Sequence, residues 1–384
     1  MKDFVKEGIN AGFCMELLYF FISKYKLLFF TLELLTTRMR LLLFIILILA
    51  TTPLSPSFAS IDFHFATDTT KLTGKDSAVL LFDQALNLMR KDYYEKNSIV
   101  WDSLVTEAKR KLALANTCSD SYAIIAGCFN KMKARHSFII PVSKTAAYTN
   151  DTNYSPRKPP AGAIMGEIKS SFADKDIAYL SVPWVCTTNP VICTQVADSL
   201  QQLIATLDEK GVSKWIIDLR MNKGGNCWPM LAGIGPLIGN TLCVYFVLSN
   251  SKAPISYREG NAMNGNKVIC SVSRKAYTTK KAQKYIAVLI GPNTSSSGEL
   301  VALAFKGLPN TELFGEPTAG FTTANTSFDL LDKSMLVLTV GMEADRAGHL
   351  CYRKIIPDEI ITATPSYPTD DPVKTRATMW LQLF

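Results

Sequence analysis

The sequence predicts an α/β protein, a layered core of sheet and helix preceded by a small helical bundle. Three observations carry this. Three amphipathic stretches with helical spacing follow one another between Ser77 and His136. Beyond residue 175, apolar strand-like runs alternate with helical runs. Two of those runs, KWIIDLR and YIAVLIG, are apolar on both faces, as central strands of a covered parallel sheet are.

Taken in order, SAVLLFDQALNLMRKDYYEK sets Val79, Leu80, Phe82, Ala85, Leu86 and Met89 on one broad face. SIVWDSLVTEAKRKLALA repeats the pattern, with Ser98 or Asp102 as candidate caps. CSDSYAIIAGCFNKMKARH is a third helix, with Ser119 or Asp120 as its cap, and the bundle over residues 60–140 ends just past His136. Residues 141–175 are rich in Pro, Ser, Thr, Asn and Lys and read as a linking loop. The core is expected over residues 176–384. There, IAYLSV is a strand, VICTQVADSLQQLIATLDEKG a helix closed by Gly211, and KWIIDLR a strand. PMLAGIGPLIG is a short helix, LCVYFVLS and YIAVLIG are strands, and GELVALAFKGL is a helix. TELFGE and SMLVLTVGM complete the series as strands.

Residues 1–59 have the pattern of a leader. Around Met39, a candidate start, basic Arg38 and Arg40 precede an apolar stretch from Leu41 to Ala50, with a small-residue exit at Ser57-Phe58-Ala59. Export to the periplasm, the cell surface or the medium is expected, and an uncleaved leader would tether the chain to a membrane. Export permits disulfides. Cys118 with Cys128, and Cys186 with Cys193, are near enough in sequence to pair, the alternative being small buried residues. The net charge of +8 is spread along the chain without a basic, aromatic-rich stripe, so no nucleic-acid partner is expected. No His or Cys pair has zinc-site spacing, and no metal or other cofactor is expected.

Candidate chemistry lies in three stretches. GPNTSSSGE sets three hydroxyls between a buried strand and a buried helix, where a tight turn exposes an Oγ and the first N–H groups of the helix face an oxyanion. IIDLRMNKGGN ends a strand in Gly224-Gly225, which lets backbone approach a ligand closely. KARHSF places an imidazole just past a helix, where a plain capping role is the alternative.

Together these stretches resemble the tail-specific (C-terminal processing) serine peptidases and their tricorn-like relatives. RHSF, IAYLSVPWV, IIDLRMNKGGN, TSSSGE, FGEPTAG and IIPDEI occur in that family's order over residues 136–361. The resemblance implies a crotonase-like layering of sheet and helix and hydrolysis of peptide or protein substrates. It implies Ser296 as nucleophile, three positions before Glu299, with the Ser297 N–H and the backbone of Gly224 and Gly225 as oxyanion donors. The bacterial processing enzymes use a lysine base one residue after the Gly of GEPTxG. That position is Phe321 here, so the tricorn-like branch is the better match, with His136 as base. An acid orienting His136 is expected before the final PD, with Asp345 preferred over Glu343. About forty residues separate His136 from IAYLSV, too few for the PDZ domain of the processing enzymes. Glu316 reads as a structural carboxylate, and Trp184 and Trp228 as core or groove residues. A non-catalytic ligand- or peptide-binding protein on the same scaffold is the alternative.

Overall fold

The computed structural model describes residues 74–145, the backbone of 164–165, and residues 168–362 and 371–384. The expected leader over residues 1–59 lies outside the described residues.

Three helices come first, α1 (Gly74–Asp92), α2 (Trp101–Leu112) and α3 (Cys118–Met132). Phe82, Leu86 and Met89 of α1 meet Leu104 and Leu112 of α2 and Ile125 and Phe129 of α3. The same cluster includes Leu336 and Leu338, so the helices share a core with a strand of the sheet. The caps differ from the sequence reading. Thr117 caps α3 in a reciprocal box with Asp120 at the third helical position, and α2 starts after Val100 with no side-chain cap. Cys118 and Cys128 lie ten residues apart on α3, about 15 Å along its axis. Disulfide geometry excludes that pair. The Cys186–Cys193 disulfide is not formed either, and the Cys193 thiol instead faces the Thr187 carbonyl.

Strand β1 (Phe138–Ile140) follows. Three strands come next, β2 (Ile164–Met165), β3 (Ser170–Asp174) and β4 (Ile177–Ser181). Thus β3, in which no residue is fully buried, lies inside the stretch expected as loop. Then come β5 (Trp184–Val185), α4 (Pro190–Asp208), β6 (Lys214–Asp218) and α5 (Cys227–Ile238). An excursion of antiparallel strands follows: β7 (Thr241–Leu248), β8 (Lys252–Arg258), β9 (Asn261–Asn264) and β10 (Lys267–Ser271). Then β11 (Tyr285–Ile290), α6 (Ser297–Phe305) and β12 (Thr311–Gly315) return to the core. The chain ends with β13 (Thr323–Asp329), β14 (Met335–Ala344), β15 (Glu359–Ile360) and α7 (Pro372–Leu381).

One sheet has the order β15-β12-β11-β6-β4-β3 and is parallel apart from the β3–β4 pair. A second has the order β1-β14-β7-β8-β9-β10, with β13 also paired to β14, and β2 and β5 form a separate antiparallel pair. The parallel sheet is covered on both faces. Ile217, Val288 and Leu313 pack with α4, α5 and α6, and Ile216, Leu289 and Phe314 pack with Trp380 and Leu381 of α7. This burial explains the unbroken apolar runs of β6 and β11.

Register positions the candidate site. Leu289 is paired with Asp218, and Ile290 with Gly315, so β6, β11 and β12 end level with one another. Their carboxyl ends lead into residues 219–226, 291–296 and 316–322, the place where open parallel sheets present ligand-binding loops. An ion network anchors the first loop to α7. Arg220 donates to Asp218 (2.6 Å) and to both oxygens of Asp371 (2.7 Å each), and the Tyr179 hydroxyl donates to Asp218 (2.8 Å).

Candidate active site

The serine turn is strained where the sequence reading needs it to be. Ser296 has φ 51° and ψ −121°, outside the regions that residues with a Cβ favour, and precedes the first turn of α6. Ser295 donates its N–H to the Asn222 carbonyl (3.0 Å), and Ser297 donates its hydroxyl to the Gly225 carbonyl (2.7 Å). The serine turn and the glycine loop are therefore fastened together on both sides of Ser296.

Gly224 and Gly225 have φ of +101° and +91°. A Cβ on Gly224 would stand 2.8 Å from the Ser296 Cβ and 3.1 Å from the Ser297 nitrogen. A Cβ on Gly225 would stand 2.0 Å from the Val185 carbonyl oxygen. Both positions require glycine, for close approach as well as for φ. The donor roles differ from expectation, however. The Gly224 N–H is held by Asn222 Oδ1 (2.9 Å) in an Asx turn, so Gly224 is no oxyanion donor and contributes open space instead. Among the described residues, the N–H groups of Gly225 and Ser297 find no acceptor. These two amides flank the Ser296 turn, as an oxyanion site requires.

Glu299 is the buried hub of the site. Its Oε2 accepts from the N–H groups of Ser296 (2.8 Å) and Phe321 (2.7 Å). Its Oε1 accepts from the Gly320 N–H (2.8 Å) and the Thr318 hydroxyl. Burial raises the Glu299 carboxyl above the usual range, and the four donors pull it back. One side chain thus locks the serine turn to the GEPTAG loop. Glu316 in that loop donates its N–H to the Ile290 carbonyl, a backbone bond that holds the start of the loop on β11.

His136 arrives from the bundle. Helix α3 closes at Lys133 in the left-handed region (φ 56°), and β1 then pairs with β14. The His136 ring packs on Phe321, with centroids 5.1 Å apart, and the Arg135 guanidinium lies 5.5 Å from the centroid of the same Phe321 ring. Phe321 therefore touches the imidazole through its ring and the Ser296 turn through Glu299. Nδ1 of His136 lies 2.5 Å from Thr323 Oγ1. Burial lowers the His136 pKa to about 4, so the ring is neutral near pH 7.

Asp345 does not orient His136. Its carboxylate accepts from the N–H groups of Ala347 and His349 (2.9 Å each) and lies 3.1 Å from His349 Nδ1. It shapes its own turn beyond β14, and nearness to PD in sequence gave no direction for the side chain. Glu343, the other candidate, is buried, with Oε2 unpartnered among the described residues. Burial and the nearby Glu299 push its carboxyl well above the usual range. Sequence reasoning missed Thr323 and Asn325; the signal was the alternating polar pair in TTANT directly after the GEPTAG loop. Trp184 is half-buried beside Lys223, whose Nζ lies 5.8 Å from the ring centroid. Trp228 packs edge-on against Phe246 at 6.3 Å, on the rim of the main core.

Among the described residues no His, Cys, Asp and Glu cluster could hold a metal ion, and no helix is long and apolar enough to cross a membrane.

Comparison with known proteins agrees with this architecture. Residues 176–361 match the model of peptidase family S41. The nisin-resistance protein of Lactococcus lactis subsp. lactis is 37% identical over 159 residues, which cover 41% of this chain and 48% of that protein. The carboxy-terminal processing protease CtpA of Bacillus subtilis (strain 168) is 28% identical over 172 residues, covering 44% and 33%. The matches thus span about half or less of these relatives' length. Among solved structures, a lipoprotein from Streptococcus agalactiae superposes with a TM-score of 0.62 at 22% identity, covering 81% of this chain and 97% of that one. The photosystem II D1 C-terminal processing protease gives 0.50 at 16% identity, covering 78% and 97%. These two likenesses establish the fold. Over residues 176–361 the chain is thus similar to peptidase family S41.

Proposed function

We propose that this chain is an exported serine-type peptidase that hydrolyses peptide bonds. Ser296 Oγ attacks the scissile carbonyl, and His136 takes the hydroxyl proton and returns it to the leaving amine. The N–H groups of Gly225 and Ser297 hold the oxyanion. The observation that carries the reading is the pair of unspent amides on either side of the strained Ser296 turn. The family supports a peptide or protein substrate. The leader pattern and a structural neighbour described as a lipoprotein support export. Nisin is one peptide to test, given the name of the 37% identical relative.

Peptide binding without hydrolysis is a second reading. It is favoured by Phe321 at the lysine position and by Asp345 turning to His349. A fluorophosphonate probe separates the two. The peptidase should be labelled at Ser296, not at all in Ser296→Ala, and about 100-fold more slowly or worse in His136→Ala, the scale of lost general-base catalysis. A folded chain that takes no label is a binder.

The low pKa of His136 has a consequence for pH. A base must be neutral, so the acid limb of kcat/KM should fall near pH 4 to 5 rather than near the usual 6.5. Folded-state protonation is disfavoured, so stability should also decline as pH drops from about 6.5 through about 4. Hydrolysis and thermal unfolding measured from pH 3.5 to 8 check both. An acid limb centred above 6.5 would count against His136 as the buried base.

A further inference from the structure

Resting on the peptidase reading above, we propose that a neutral residue, Thr323, is the positioning residue for His136. Through Asn325 it holds the imidazole in the tautomer that leaves Nε2 free as base.

The argument follows the direction of each hydrogen bond. Asn325 Nδ2 donates to the main-chain carbonyl of His136 (2.7 Å). A carbonyl only accepts, so this bond fixes which end of the Asn325 amide is nitrogen. The other end, Oδ1, only accepts, and it faces two hydroxyls, Thr339 Oγ1 (3.0 Å) and Thr323 Oγ1 (3.4 Å). Thr323 thus turns its proton toward Asn325 and its lone pairs toward His136 Nδ1 at 2.5 Å. With that proton given to Asn325, the proposal assigns the ring proton to Nδ1, which leaves Nε2 its lone pair. The backbone carbonyl of His136 in this way sets the tautomer of its own ring.

Strand pairing explains why these groups meet. Asn325 is opposite Thr339 across β13 and β14. Phe138 is opposite Val337 on the other side of β14, so the segment that carries His136 runs on toward Thr339. Ser137 completes the link, its Oγ accepting from the Thr339 N–H (3.0 Å).

The surroundings of His136 are largely uncharged. From the GEPTAG loop comes the ring of Phe321, from β13 Thr323 and Asn325, and from β14 Thr339 and, through Ser137, its backbone. The charged groups are Lys133 and Arg135 on its own segment, and Glu299 beyond the Phe321 N–H. A Ser–His–carboxylate triad stabilises the imidazolium with a negative charge. Here a hydroxyl supplies orientation without that charge, in keeping with the ring's low basicity.

The test is the 15N NMR signature of the imidazole in the full chain bearing Ser296→Ala. The chain has three histidines, so His136→Gln assigns the signal by difference. The proton should reside on Nδ1 near pH 7. Thr323→Val should give a mixture of tautomers. In the otherwise native chain, Thr323→Val should lower kcat about ten-fold with KM little changed, the scale of one neutral hydrogen bond, and Thr323→Ser should restore both. Thr323→Asp should move the acid limb of kcat to higher pH, because a carboxylate favours the charged ring. An Nε2–H tautomer would overturn the inference, as would an unchanged tautomer and kcat in Thr323→Val. The tautomer is read without turnover, so it stands or falls separately from labelling of Ser296. It also remains decisive should the Thr323 variants misfold.

Discussion

Gly224→Ala should cut peptide hydrolysis by at least about 100-fold while leaving the chain folded, an effect on the scale of losing one oxyanion donor. The residue donates nothing to substrate, since Asn222 holds its N–H. What it supplies is room. An added Cβ falls 2.8 Å from the Ser295 carbonyl oxygen, 2.8 Å from the Ser296 Cβ and 3.1 Å from the Ser297 nitrogen. Two of these three atoms are backbone, so no side-chain rotation relieves the contact. Either the glycine loop withdraws, carrying the Gly225 amide with it, or the methyl group occupies the space before the Ser297 amide. A φ of +101° adds strain of about 1–3 kcal/mol, well below what would unfold a chain with this much core. Steady-state kinetics beside circular dichroism measures the effect. An alanine variant with native kcat would show that the space before Ser297 is not used.

Glu299→Ala should lower stability by about 3–5 kcal/mol, the scale of stripping the compensation from a buried charged network, and abolish activity in whatever folds. Its carboxylate is fully buried and accepts from the N–H groups of Ser296, Gly320 and Phe321 and from the Thr318 hydroxyl. Removing it leaves four donors without an acceptor, the Thr318 hydroxyl buried and the three N–H groups part-buried, and an unsatisfied buried donor costs about 1–3 kcal/mol. Glu299→Gln keeps the shape but turns one acceptor into a donor facing N–H groups. It should therefore fall between wild type and alanine. Urea titration gives the ordering, and a Gln variant as stable as wild type would contradict the role of the second oxygen.

Legibility in the sequence followed burial. The runs of β6 and β11 are apolar on both faces because α4–α6 cover one side of the sheet and α7 the other, so pattern alone found them. Helices α1 to α3 were found because one face of each is apolar and the rest polar. Strand β13, with the sequence TANTSFD, is half exposed and carries no apolar alternation, so nothing in it resembled a core strand. Strands β8 to β10 form an antiparallel excursion with mixed faces and were missed for the same reason.

The candidate site divides in the same way. Ser296, Gly224 and Gly225 stand in loops where local backbone demand dictates residue type, and such demand is visible in sequence. Which amide is free depends on the Asx turn of Asn222, which the sequence carries as the N-x-G of NKG. The partner of His136 depends on strand register across β14, a long-range property. Proximity in sequence pointed to Asp345, whereas pairing delivers Thr323 and Asn325.

The most direct measurement is a crystal structure of the chain after reaction with a fluorophosphonate. It should show phosphorus bonded to Ser296 Oγ, one phosphonyl oxygen about 3 Å from both the Gly225 and Ser297 nitrogens, and the His136 ring turned toward the adduct. A phosphonyl oxygen pointing to solvent, with those two amides still unpaired and His136 facing elsewhere, would contradict the account.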